Sequence, residues 1–146
     1  MKKIQWGRVL LSGVIYTVMA NVVHILESFL TRSYYTLPEY AGVWSKLIMP
    51  HAGQPSPQFL ALSLLFGLIV GIFLAFVYVS IQDVLPKPTW SRSFSFAGLL
   101  IGLELVLYIL PVYLLFNVPV AILISWTISY SVIFILASIL FVRILR

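Results

Sequence analysis

Four stretches of about 20 mostly apolar residues fill most of this 146-residue chain, and that is the length a helix needs to cross the hydrocarbon core of a bilayer. They fall at Val9–Phe29, Phe59–Val79, Phe94–Phe116 and Val118–Val142. With 62% hydrophobic and only 9% charged residues, the chain lies outside the class of small soluble domains. The expected fold is an all-α membrane protein, a four-transmembrane-helix bundle forming one domain over residues 1–146. A secretory signal is suggested by Lys2, Lys3, Arg8 and the small-residue site at Val18-Met19-Ala20. Apolar character continues through Val22, Val23, Ile25 and Leu26, however, so residues 9–29 are expected to remain as a span.

The net charge of +5 would point a soluble protein toward nucleic acid, but here the basic residues sit at the ends of apolar segments and act as topology determinants. Lys2, Lys3, Arg8, Lys87, Arg92, Arg143 and Arg146 fall on one side and Arg32 and Lys46 on the other. This asymmetry predicts both termini on the cytoplasmic side. Trp6, Tyr78 and Trp90 would mark the inner interface, and Tyr34, Tyr35, Tyr40, Trp44 and Tyr113 the outer one. There are no cysteines, which removes disulfides, thiolate metal sites and thiol nucleophiles.

The connections differ in kind. Asn117-Val118-Pro119 forces a tight antiparallel hairpin between the third and fourth spans, and the link around Pro86 and Pro88 is short. The outer loop, residues 30–58, is the only extramembrane segment of functional length. Within it Pro38 can open a short helix with Tyr40, Val43, Trp44, Leu47 and Ile48 on one apolar face. That helix either lies flat in the headgroup boundary or packs over the end of the bundle.

In lipid, helices associate through close approach and polar contacts rather than apolar burial. Small residues mark the approach: Ser63, Gly67, Gly71 and Ala75 form a ridge on the second span, and Gly98 and Gly102 repeat the spacing on the third. The contact they make is expected inside the chain, with a partner helix as the alternative.

Polar residues inside the spans supply the candidate site. Thr17, Asn21, His24 and Ser28 fall within about 60° of one another at 100° per residue, a stripe suited to interhelical hydrogen bonds or to a proton, ion or cofactor. Glu27 lies toward the same outer side. His24 and His51 are too few to close a metal site, so neither metal nor haem is expected. Glu104 falls near the middle of the third span, about 15 Å from either interface, at a depth where no Lys or Arg lies. Hydrocarbon favours its neutral form, which can donate a hydrogen bond as interhelical glue or serve a functional path. Ser93, Ala97, Tyr108 and Pro111 share its face, and Pro111 frees the carbonyl of Leu107.

The opening Ile4-Gln5-Trp6-Gly7-Arg8-Val9-Leu10-Leu11-Ser12-Gly13, followed by Ala20-Asn21-Val22-Val23, a long loop and three more spans, resembles a group of small bacterial four-span proteins of unknown function. Those proteins carry a polar or acidic residue one turn after the Asn; here it is His24. The resemblance implies a bacterial inner-membrane location and transfers no site residue.

With no phosphate loop, catalytic triad or paired-carboxylate motif, the expected function is a non-catalytic accessory or structural subunit. Its partners would be lipids and other membrane subunits or a second copy, and not nucleic acid. The alternatives are a small oligomeric transporter or channel using Glu104 and the Thr17/Asn21/His24 stripe, and an intramembrane enzyme using Asn21, His24, Glu27 and His51.

Overall fold

The computed structural model describes residues 4–40, 42–44 and 56–145. Among them there is no strand. Four helices are long and apolar enough to cross a membrane: α1 (Trp6–Tyr35), α2 (Pro57–Ile81), α3 (Thr89–Leu115) and α4 (Val120–Ile144). Such an arrangement is compatible with an integral membrane protein. Lys2, Lys3, Lys46, Leu47, Ile48, His51 and Arg146 lie outside the described residues.

Helix boundaries follow local chemistry. Ser56 caps α2 by accepting a 3.1 Å bond from Phe59 N–H, with Pro57 in the first turn where a missing N–H costs nothing. α4 begins at Val120 rather than Val118, because Pro119 cannot donate and pushes the residue before it out of helical geometry. α1 runs six residues past the expected span end at Phe29, since nothing between Leu30 and Tyr35 breaks a helix and Thr31 Oγ1 bonds back to Glu27 O at 3.1 Å. The segment opening at Pro38 forms a single 3₁₀ turn, Pro38–Tyr40. Trp44 beyond it packs on the bundle, 4.6 Å from Tyr35 and 6.4 Å from Trp126 between ring centroids.

α1 packs against both α2 and α4, and α4 against α3, so the neighbours run α2–α1–α4–α3. At the terminal end, where residues 4 and 145 lie, several ties close the bundle. Arg8 donates to Ile144 O at 3.4 Å, Trp6 stacks on Phe76, and the Arg143 guanidinium lies 5.8 Å over Trp90. Tyr78 of α2, Phe96 of α3 and Phe141 of α4 are fully buried against one another. Tyr78 is therefore a core residue of the bundle.

The opposite, loop end is different. Every buried residue of α2 (Gly71, Leu74, Ala75, Tyr78) lies in its terminal half, and α3 buries nothing beyond Glu104. α1 and α4 instead stay buried along their length, through Glu27 and Thr31 on one and Ile122 and Leu123 on the other. The bundle buries all four helices at one end, whereas at the other only α1 and α4 contribute fully buried residues.

Candidate functional site

The polar stripe of α1 does not act as a unit. Thr17 is buried against α2, where a Cβ added at Gly67 would meet its Cγ2 at 3.2 Å. Its hydroxyl bonds Gly13 O at 2.8 Å, and Asn21 Nδ2 bonds Thr17 O at 2.8 Å. Both side chains satisfy themselves on their own helix, the usual solution for a polar group four residues after a carbonyl. Ser28 is exposed and bonds Ile25 O. The interhelical bonds expected of this stripe are absent from the hydrogen bonds of these three residues.

Those bonds are formed one register over, by Glu27. Its side chain is 7% exposed, and Oε1 accepts from Thr31 Oγ1 at 2.8 Å and from Ser125 Oγ of α4 at 3.0 Å. Directly above, Trp126 Nε1 donates to Tyr35 Oη at 3.0 Å, and Trp44 covers both rings. This is a polar, aromatic clasp joining α1 to α4 at the loop end. In hydrocarbon-facing bundles such a bond contributes about 1 kcal/mol. A double-mutant cycle of Glu27→Leu with Ser125→Ala is expected to give a coupling of that size by unfolding in micelles; additivity would show that the pair is not bonded.

Below the clasp the ring of His24 meets Tyr130 of α4 edge-on at 5.2 Å. Tyr130 meets Tyr108 of α3 edge-on at 6.1 Å, and Tyr108 stacks on Trp126 at 6.2 Å. Tyr108 is one turn beyond Glu104 and lies in a five-residue π-helical segment, Leu105–Ile109, that follows Glu104 directly. There Leu110 N–H reaches back to Leu105 O instead of Val106 O. The widened turn precedes Pro111, whose ring would otherwise press on the carbonyl of Leu107, and single π turns of this kind are concentrated at functional sites.

Glu104 faces α4 together with Ser93, Ala97 and Leu100, all buried. It is 8% exposed, and neither carboxyl oxygen has a hydrogen-bond partner. Glue needs a partner, so the interhelical-glue reading finds no support here. A buried polar group left unbonded costs about 1–3 kcal/mol. Glu104→Leu, which keeps the volume and removes that cost, is therefore expected to raise stability by about 1–3 kcal/mol; a loss would show that the carboxyl is bonded after all.

The small residues divide between the two outer helices. A Cβ at Gly71 would stand 2.7 Å from Tyr16 Cδ1 and 2.8 Å from Gly13 O, and one at Gly13 would stand 2.5 Å from Ile72 Cγ1. Here α1 and α2 touch backbone to backbone. Ala75 is fully buried in the same seam, whereas Ser63 is only partly covered and bonds Leu60 O. Gly98 and Gly102 meet nothing within 4 Å and point away from the bundle, so the intramolecular contact expected for them is not made.

Among the described residues no three of His, Cys, Asp or Glu converge as a metal site. Sequence reasoning named Glu27, His24 and Glu104 because ionisable groups stand out in apolar spans. It missed Ser125 and Trp126, and named Tyr35 only as an interfacial aromatic. No protein-family model, no curated protein and no solved structure matches this chain.

Proposed function

We propose that this chain is a non-catalytic subunit of a membrane assembly, held in a bacterial inner membrane with both termini cytoplasmic, and that it packs through α3 against a transmembrane helix of another subunit. The open face of Gly98 and Gly102 carries this reading. A pair of glycines four residues apart lets two helix backbones approach closely in lipid, and this pair is unoccupied within the chain. The outer half of α3 adds to it, since no residue beyond Glu104 is fully buried.

The chain has no cysteine, so single cysteines report cleanly. Gly98→Cys and Gly102→Cys are expected to crosslink in native membranes to a neighbouring polypeptide, while Phe66→Cys on the exposed face of α2 is not. Native mass spectrometry of the gently extracted protein should show a stoichiometric partner, lost in Gly98→Leu/Gly102→Leu. A lone monomer with no crosslink sinks the reading.

The unpartnered carboxyl of Glu104 favours a second reading, a small oligomeric transporter or channel. It predicts pH-dependent flux in proteoliposomes that Glu104→Gln abolishes, and absence of flux under any imposed gradient removes it.

A further inference from the structure

At the terminal end Arg143 is placed by a ring and by nothing else. Its guanidinium carbon lies 5.8 Å over the centroid of Trp90, a contact between a cation and an aromatic face that uses none of its N–H groups. Among the described residues Arg143 makes no hydrogen bond and no ion pair. Both residues are exposed, so a planar fork of donors is held at the outer surface of the α3–α4 seam without an acceptor from the protein.

The surroundings select what can bind there. Arg8 reaches from α1 to Ile144 O at 3.4 Å, which brings a second guanidinium to the same last turn of α4. Of the chain's four acids only Asp83 belongs to this end, in the link between α2 and α3. Trp90 also stacks on Phe94, 6.3 Å away and one turn deeper along α3, and both rings are more than half exposed. A strip of aromatic surface therefore runs from the charge toward the middle of the span. A free anion would satisfy the arginine and leave the rings bare. A molecule with an anionic head and an apolar tail covers both, and in a bilayer the molecules of that form at that depth are anionic phospholipids.

We infer that Arg143, Trp90 and Phe94 form a binding site for one anionic phospholipid of the terminal-side leaflet, with the phosphate on the Arg143 guanidinium, in the field of Arg8, and an acyl chain along the two rings. This is more than the diffuse attraction of lipid to basic segments. The ring fixes one guanidinium ahead of the ligand, and a planar fork can bond a phosphate through two N–H groups at once. Lys87 supplies the contrast. It lies in the same end's link, which Arg92 Nε ties down through Pro86 O at 2.8 Å. Arg92 is about 200° around α3 from Trp90 at 100° per residue, so Lys87 belongs to the other flank. The inference is independent of the packing role proposed for Gly98 and Gly102.

The test offers the full chain in detergent micelles an equimolar mixture of phosphatidylglycerol and phosphatidylcholine with matched acyl chains, and native mass spectrometry counts the lipid retained. The expected result is one phosphatidylglycerol held in preference to phosphatidylcholine. Arg143→Gln is expected to lower that preference about fivefold, the effect of one basic residue at an anionic surface. Arg143→Lys keeps the charge without the fork and should lower it as well; Trp90→Leu removes the platform and should lower it about two- to fivefold. Lys87→Gln takes the same charge from the same end and should leave the preference unchanged, and excess inorganic phosphate should leave the bound lipid in place. Equal retention of the two lipids, equal losses in Lys87→Gln and Arg143→Gln, full preference in Arg143→Lys or in Trp90→Leu, or displacement by phosphate overturns the inference. Each substituted position is exposed, so a folding defect does not stand in for a lost lipid.

Discussion

Gly71→Leu is expected to break the α1–α2 seam and cost about 3 kcal/mol, the upper end of what forced overpacking removes. The obstacle is not a side chain that can swing aside. Even a methyl at Gly71 would press within 2.8 Å of the carbonyl oxygen of Gly13, and Gly13 itself sits against the backbone of Ile72, so the helices must move apart as rigid rods. Separation also strips Thr17 and Ala75 of their neighbours. The matched control is Gly98→Leu, which has open space and should leave the unfolding free energy of the isolated chain unchanged. Equal losses at the two positions, measured by unfolding in mixed micelles, would mean that the close approach at Gly71 is not the cause.

The second large effect is expected for Phe141→Ala. Phe141 is fully buried, with the rings of Tyr78 and Phe96 each 6.4 Å away between centroids, and it is the point where α2, α3 and α4 meet. In a soluble core such a truncation costs about 3–5 kcal/mol. Lipid is as apolar as the side chain removed, so the transfer part of that cost falls away, and the remaining loss of dispersion contacts around the void sets the expectation near 3 kcal/mol. α2 and α3 keep only the 5.3 Å contact of Tyr78 with Phe96, so their terminal halves should also loosen, seen as increased crosslinking freedom between cysteines placed on the two helices. A change below about 1 kcal/mol would show that the void refills.

The architecture was legible because hydrophobic length alone demands it. About twenty mostly apolar residues in a row have few other uses, and each prolonged run became a helix. Glu104 was legible for the same reason inverted, since one carboxyl in an apolar run is conspicuous. Pairing was not legible. Gly67/Gly71 and Gly98/Gly102 have identical spacing, yet one pair is buried on α1 and the other faces outward, because which helix stands opposite is decided by the whole bundle. Thr17 and Asn21 looked like cross-helix donors, but the nearest carbonyl was their own. Glu27 lies about 90° from the stripe centre assigned on the helical wheel and so was set beside it, although it occupies the middle of the buried face. Ser125 carried no signal of its own; it matters only because α4 brings it to within 3.0 Å of that carboxylate.

The length of α1 couples the clasp to its surroundings. Thirty helical residues extend about 45 Å, whereas the hydrocarbon layer is about 30 Å thick, and α2 and α4 with 25 residues each reach about 38 Å. The last five residues of α1, Thr31 to Tyr35, stay in contact with α4 through the bond from Trp126 to Tyr35, and Glu27 lies one turn before them. A bilayer a few ångströms thinner would bring that carboxylate into contact with water, and a thicker one would draw it into hydrocarbon or force the bundle to lean. In a bilayer, thickness would thus tune how dry the hydrogen-bonded carboxyl of Glu27 is.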